Sequence, residues 1–105
     1  MRIPITLQYF DGCPNWERAE KDLKAAIELV GLDVAITYQQ VESHGEAERL
    51  TFRGSPTILI SGNDPFTDPD APVGLACRVY RTGERTSGSP GVEALQEVLR
   101  AATRT

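Results

Sequence analysis

The chain has 105 residues, of which 40% are hydrophobic and 25% are charged, and its formal net charge is −4. This length and residue usage are typical of one globular domain with one modest core, here residues 1–105. The negative charge argues against nucleic acid or an anionic membrane surface as partner, and no apolar run approaches the ~20 residues of a membrane span.

The first predicted strand leads directly to a cysteine. Apolar residues alternate with less apolar ones at the start of the chain, which predicts a strand through Ile3, Ile5, Leu7 and Tyr9. From Trp16 to Val30, apolar residues recur at intervals of three and four, which predicts an amphipathic helix that Gly31 ends. Cys13 therefore lies at a strand-to-helix turn.

A second strand and a short helix are predicted next. Alternation over residues 34–38 indicates a strand, and the interval before it is long enough for a helical crossover, so this strand should lie parallel to the first. Ser43 and Glu46 match the reciprocal capping pair that opens a helix. That helix should expose His44, bury Ala47, Leu50 and Phe52, and close at Arg53 and Gly54.

The rest of the chain alternates apolar runs with long polar connections. Pro56 leads into an apolar run at 57–60, as expected for the first residue of a strand, because proline has no amide for the ladder. Residues 61–76 contain three prolines and three aspartates and are predicted to form a long surface loop, with a functional or lid-like role as the alternative to a plain connection. A fourth strand is predicted at 77–80. A last helix is predicted to start at Ser89, with Pro90 just inside it, and to bury Val92, Leu95, Val98, Leu99 and Ala102.

Cys13 is the candidate reactive residue of this chain. The first amides of a helix have no intrahelical partners, and they favour a thiolate placed beside them. No histidine flanks the cysteine as a base, and the neighbouring Asp11 opposes a second negative charge. The alternative is that Cys13 is a small half-buried residue that fills a turn.

Cys77 is harder to place from the sequence. If the third and fourth strands are antiparallel, Cys77 begins at the end of the sheet remote from Cys13. Five strand residues span ~17 Å, which exceeds disulfide reach. This predicts Cys77 to be a buried small apolar residue; the alternative is that the preceding loop folds back and makes it a second thiol.

Three features bear on ligands and compartment. Arg78, Arg81 and Arg85 crowd one region that we interpret as a solvated strand end, with binding of an anionic ligand as the alternative. Two distant cysteines and one histidine do not match a structural zinc site, so we expect no metal and no cofactor. The start of the chain lacks the apolar run of a signal peptide, and two cysteines make no disulfide framework, which favours a cytoplasmic location.

The order of these elements resembles the thioredoxin-like superfamily over essentially the full chain. Gly12-Cys13-Pro14-Asn15-Trp16 resembles the redox turn of that superfamily. Gly54-Ser55-Pro56-Thr57 resembles its proline loop, in which the X-Pro bond is cis and packs beside the reactive sulfur. The resemblance implies an α/β fold with a mixed four-stranded sheet flanked by three helices, in the order β-α-β-α-β-β-α.

One position departs from the dithiol members of the superfamily. They carry a second cysteine three residues after the first, where this chain has Trp16, so the turn resembles the one-cysteine version found in monothiol glutaredoxins. The resemblance implies a thiol-dependent redox protein in which Cys13 attacks disulfide or low-molecular-weight thiol substrates and an external thiol resolves the adduct. Pro14, Trp16, Ser55 and Pro56 would then contact the substrate.

A narrower resemblance suggests a second function. Four segments resemble a group of short bacterial thioredoxin-like proteins, some of which are named alkylmercury lyase: Phe10-Asp11-Gly12-Cys13-Pro14, Gly54-Ser55-Pro56-Thr57, Asp64-Pro65-Phe66 and Gly74-Leu75-Ala76-Cys77-Arg78-Val79-Tyr80. That name implies that Cys13 and Cys77 hold mercury while Asp11 protonates the departing carbon. A third hypothesis is a non-catalytic binding module that kept the fold and lost the dithiol.

Overall fold

The computed structural model describes residues 2–67, 70–82 and 85–103. These residues form, in chain order, β1 (Ile3–Tyr9), α1 (Asn15–Val30), β2 (Val34–Gln40), α2 (His44–Leu50), β3 (Thr57–Ile60), β4 (Tyr80–Thr82), β5 (Arg85–Ser87) and α3 (Val92–Ala102). The predicted mixed α/β composition and the three helices are confirmed. Among the described residues, no helix has both the length and the apolar character that crossing a membrane requires.

The strands form two separate sheets. In the larger sheet the order is β2-β1-β3, with β1 parallel to β2 and antiparallel to β3. The parallel pairing of the first two strands is therefore confirmed. The predicted four-stranded sheet is wrong, because β4 pairs with β5 in a two-stranded antiparallel sheet, in which Tyr80 lies opposite Ser87. That pairing satisfies the main chain of β4 locally, and Cys77 makes only an isolated parallel bridge with Ser55.

Two hydrophobic clusters hold these elements together. The main cluster joins β1 and β3 to the facing sides of α1 and α3 through the buried residues Ile5, Leu7, Ala19, Leu23, Ala26, Ile58, Ile60, Leu95 and Leu99. A smaller cluster joins α2 to the chain on either side of it through Val41, Ala47 and Phe52. Each fully buried leucine, isoleucine or phenylalanine contributes about 1.5–3 kcal/mol to the stability of the fold. Because β1 and α1 both pack in the main cluster, this burial fixes the position of the turn between them.

The helix ends follow the sequence signals with three differences, one of which is that α3 begins at Val92 after Gly91 rather than at Ser89 and Pro90. Gly31 ends α1 in a left-handed conformation at φ 76°. The Ser43 side chain accepts a hydrogen bond from the Glu46 amide at 3.1 Å, but the Glu46 carboxylate caps the amide of Glu42 rather than that of Ser43. Helix α2 ends at a left-handed Thr51, ahead of the predicted closure at 53–54, because the Thr51 and Phe52 amides already cap its last carbonyls.

The long connection between β3 and β4 is tied to the rest of the fold at several points. Asn63 forms an isolated bridge with Ile60, and Leu75 packs against the α2 cluster. Asp64 is half-buried and pairs with Arg78. Positions 68 and 69 of the predicted loop lie outside the described residues. The described part is therefore anchored by packing and by an ion pair as it runs towards Cys77.

Candidate functional site

Cys13 occupies the predicted turn between β1 and α1. Its amide donates a hydrogen bond to the carbonyl of Phe10 at 3.2 Å, and α1 begins two residues later at Asn15. The turn is tight, because a Cβ on Gly12 would lie 2.9 Å from the Phe10 ring. The Cys13 side chain is 0% exposed, so the sulfur at the start of this helix is closed off from solvent.

Cys77 lies against Cys13, contrary to the prediction that the two are remote. The two Sγ atoms are 2.7 Å apart, Cys77 is exposed, and both cysteines are free thiols. The two sulfur atoms are therefore placed to close a disulfide once an oxidant removes the two thiol hydrogen atoms. The prediction of a buried, apolar role for Cys77 is also wrong. The strand assumed to carry it away from Cys13 does not pair with β3.

The main chain around Cys77 pairs with Ser55. The Ser55 amide donates to the carbonyl of Ala76, and the Arg78 amide donates to the carbonyl of Ser55, both at 2.8 Å. These two hydrogen bonds bracket Cys77 and turn its side chain onto Cys13. We call residues 76–78 the Cys77 segment.

Ser55 connects all parts of the site. Its hydroxyl accepts a hydrogen bond from the Phe10 amide at 3.3 Å, and its carbonyl accepts one from Cys13 Sγ at 3.4 Å. The peptide bond between Ser55 and Pro56 is cis, as the resemblance implied, and both residues are buried. The amide and the carbonyl of Ser55 are both paired with the Cys77 segment in this arrangement.

Pro14 and Trp16 lie on the other side of the turn. Pro14 is exposed and immediately precedes α1. The half-buried Trp16 ring stacks on Tyr9 with centroids 4.4 Å apart and packs against the main cluster. Trp16 therefore supports the turn from the side of the core.

Asp11, the proposed acid of the mercury chemistry, is exposed in the same turn. Within the described residues, no hydrogen bond joins its carboxylate to either sulfur. No group of three or more His, Cys, Asp or Glu side chains in that part of the chain is arranged to hold a metal ion.

Arg78 anchors the Cys77 segment to the loop that precedes it. Its side chain is only 6% exposed and pairs with Asp64 at 2.7 Å, and it also donates hydrogen bonds to the Thr57 hydroxyl and the Phe66 carbonyl. Its guanidinium lies 4.6 Å from the centre of the Tyr80 ring. The prediction that Arg78 belongs to a solvated strand end is wrong, because the ion pair and these hydrogen bonds satisfy a buried charge.

The buried side chain of Tyr80 contacts Pro56 and Phe66. Its hydroxyl donates to the Pro56 carbonyl at 2.5 Å, and Phe66 packs edge-on against its ring at 5.5 Å. Burial raises the pKa of the Tyr80 hydroxyl well above its ordinary value, and the nearby Arg78 charge offsets this only in part.

Replacing Tyr80 by phenylalanine is expected to lower the free energy of unfolding by about 1–2 kcal/mol at neutral pH, because the Pro56 carbonyl loses its donor. The raised pKa stabilises the folded state fully below the unfolded value of ~10, and this contribution is lost as pH rises through the folded pKa. Urea unfolding of both proteins at pH 7 and pH 11 measures it. The two stabilities should converge at the higher pH, and an unchanged gap would contradict the assignment.

The hydrogen bond to Cys13 raises the pKa of the Cys77 thiol, with smaller contributions in the same direction from burial and from the charge of Cys13. In this arrangement the Cys77 thiol donates to Cys13 Sγ.

Asp64, Arg78, Tyr80 and Gly54 also shape the site, and of these only Arg78 is considered from the sequence as a binding residue, for an anionic ligand. Asp64 and Arg78 are 14 positions apart across an irregular loop, where no periodicity relates them. Gly54, at φ 115°, is the one with a local signal, because it stands immediately before the Ser55-Pro56 pair. Comparison with known proteins identified no relative: no family model, no curated protein and no solved structure matches this chain.

Proposed function

We propose that this protein is a thioredoxin-like thiol-disulfide redox protein in which Cys13 and Cys77 interconvert between a dithiol and a disulfide. The observation that carries the proposal is the 2.7 Å contact between the two sulfur atoms. Two thiols of one chain held in contact have a high effective concentration, so Cys13 and Cys77 close a disulfide in preference to an adduct with an external thiol.

The thioredoxin-like part of the proposal is supported by the local architecture. A parallel strand-helix-strand unit, an antiparallel strand entered through a cis proline, and a cysteine just ahead of the first helix occur together. The order of elements from β1 to β4 is the one that the sequence resemblance implies, and β5 is an additional strand ahead of α3. The difference from the monothiol scheme is that Cys77 of the same chain takes the part of the external thiol.

Disulfide chemistry fits the sulfur geometry better than metal capture does. A metal bound at ~2.3 Å from each of two thiolates in tetrahedral geometry holds the sulfur atoms about 3.8 Å apart. The two sulfur atoms are in direct contact, and the described residues offer no group of three or more His, Cys, Asp or Glu side chains that would complete a metal site. Thiol or disulfide compounds are therefore the proposed substrates, and a reducing cytoplasm is the proposed compartment.

Equilibration of the full chain with glutathione buffers of increasing oxidation tests the proposal. We expect the wild type to lose two hydrogen atoms in a single two-electron step and to show no thiols to a maleimide probe after oxidation, as intact mass and gel shift would report. Cys13→Ser and Cys77→Ser should not undergo this step. Oxidised wild type that instead carries glutathione on Cys13 while Cys77 stays free would contradict an internal pair and support the one-thiol mechanism.

A further inference from the structure

The two thiols of the pair differ in their access to solvent. Cys13 is 0% exposed, whereas Cys77 is exposed. Attack on a sulfur, or attack by it, requires an approach path for the reacting partner. The two sulfur atoms are therefore distinguished by their access to a reacting partner.

The approach to Cys13 is closed on the side where a substrate would pair with the proline loop. The amide and the carbonyl of Ser55 both bond to the Cys77 segment, and Cys77 Sγ covers Cys13 Sγ. The buried ion pair of Arg78 with Asp64 holds that segment in place. An extended substrate would have to displace the segment before it reached Cys13.

The approach to Cys77 is open. Cys77 lines a cavity of about 580 Å³ together with Phe66, Tyr80 and Arg81. This volume falls in the range of sites that receive small molecules, ~300–1,000 Å³. A cavity of this volume has room for a low-molecular-weight thiol beside Cys77.

We propose that Cys77, and not Cys13, forms the mixed disulfide with the substrate, that the group attached to it lies in this cavity, and that Cys13 is the sulfur displaced. This inference rests on the proposed function and names the order of its steps. It reverses the roles that the sequence resemblance implies for the two cysteines.

The steps balance in electrons and protons. A substrate thiolate attacks Cys77 Sγ of the Cys13–Cys77 disulfide, the S–S bond breaks, and the electron pair leaves on Cys13 Sγ. A second substrate thiolate attacks the substrate sulfur of the mixed disulfide and releases Cys77 as a thiolate. Two substrate thiols are thereby oxidised to a disulfide, the protein gains two electrons, and the two thiol protons pass to Cys13 and Cys77. A low-molecular-weight disulfide regenerates the oxidised protein by the reverse steps.

The hydrogen bond between the two sulfur atoms of the reduced pair bears on this order. The hydrogen bond to Cys13 raises the pKa of the Cys77 thiol. Cys13, the sulfur expelled first, accepts that hydrogen bond.

The two single-cysteine variants test the assignment whether or not the internal disulfide forms. Cys13→Ser retains only Cys77, and Cys77→Ser retains only Cys13. We expect the first variant to form a mixed disulfide with bis(2-hydroxyethyl) disulfide about tenfold or more faster than the second, because only its sulfur is accessible. Equal rates, or a faster Cys77→Ser variant, would overturn the proposal. Circular dichroism confirms that both variants are folded.

A trapping experiment on the oxidised wild type provides a second measurement without substitution. A brief pulse of 2-mercaptoethanol followed by an acid quench and alkylation should leave the adduct on Cys77 and the alkyl group on Cys13. The two cysteines fall in different tryptic peptides, because Arg18 and Arg53 lie between them. An adduct on Cys13 would refute the inference while leaving the internal redox pair intact.

Discussion

Replacing Arg78 by alanine is expected to lower the free energy of unfolding by about 3 kcal/mol or more. The guanidinium is 6% exposed and the Asp64 side chain is 16% exposed, so the substitution leaves a largely buried carboxylate without its partner. The Thr57 hydroxyl and the Phe66 carbonyl lose their contacts with the guanidinium as well. Urea unfolding followed by circular dichroism measures the loss.

The same substitution should slow the closure of the disulfide. Arg78 directly follows Cys77, and its side chain joins the Cys77 segment to the loop before it. Without this anchor, Cys77 spends less time against Cys13. If the alanine variant does not fold, Arg78→Lys provides the test. It keeps the charge but loses the two-pronged contact with Asp64, so it should slow disulfide closure by a smaller factor.

Arg2→Ala is the matched control for the loss of an ion pair. Arg2 pairs with Asp33 at 3.4 Å, but both side chains are about 70% exposed. An exposed pair contributes about 0–1 kcal/mol, so this variant should unfold and oxidise almost as the wild type does. Equal losses in the Arg2 and Arg78 variants would show that Arg78 is not an anchor.

Replacing Gly54 by alanine is expected to separate the two sulfur atoms. Gly54 has φ 115°, and an added Cβ would lie 2.9 Å from Arg78 Cβ and 3.1 Å from the Ala76 carbonyl oxygen. Because the Ala76 atom belongs to the backbone, the Cys77 segment must move away from Ser55. We expect a loss of about 2–4 kcal/mol in the free energy of unfolding and slower formation of the internal disulfide.

Gly62→Ala separates the effect of backbone conformation from that of the close contact. Gly62 also has a positive φ, 83°, but an added Cβ meets no atom within 4 Å. This variant should lose about 1–2 kcal/mol from backbone strain and oxidise at the wild-type rate. Oxidation of Gly54→Ala at that same rate would mean that the fit against Gly54 does not position Cys77.

Local patterns were sufficient for the first half of the fold. The alternation before Cys13, the three- and four-residue spacing after it, and Gly31 placed the turn correctly, because each signal acts over a few neighbouring residues. The Ser43 cap of α2 is local in the same sense. The cis bond before Pro56 was anticipated from resemblance rather than from these patterns.

The sequence patterns do not predict the second half of the fold correctly where segments distant in the chain meet. The strand predicted at 77–80 is compatible with pairing to β3, but in the structure β4 begins at Tyr80 and pairs with β5, and Cys77 bridges to Ser55. The burial of Arg78 depends on Asp64, which lies in an irregular stretch with no period. Neither outcome has a signal within a short window of sequence.

Strand and helix periodicity, with the stop residues between elements, was enough to put one thiol at the start of a helix, since those preferences are expressed by residues adjacent in the chain. The contact of that thiol with Cys77, 64 positions away, depends on the tertiary structure. It depends on main-chain hydrogen bonds to Ser55 and on a buried ion pair, and such contacts exist only after the intervening chain has packed.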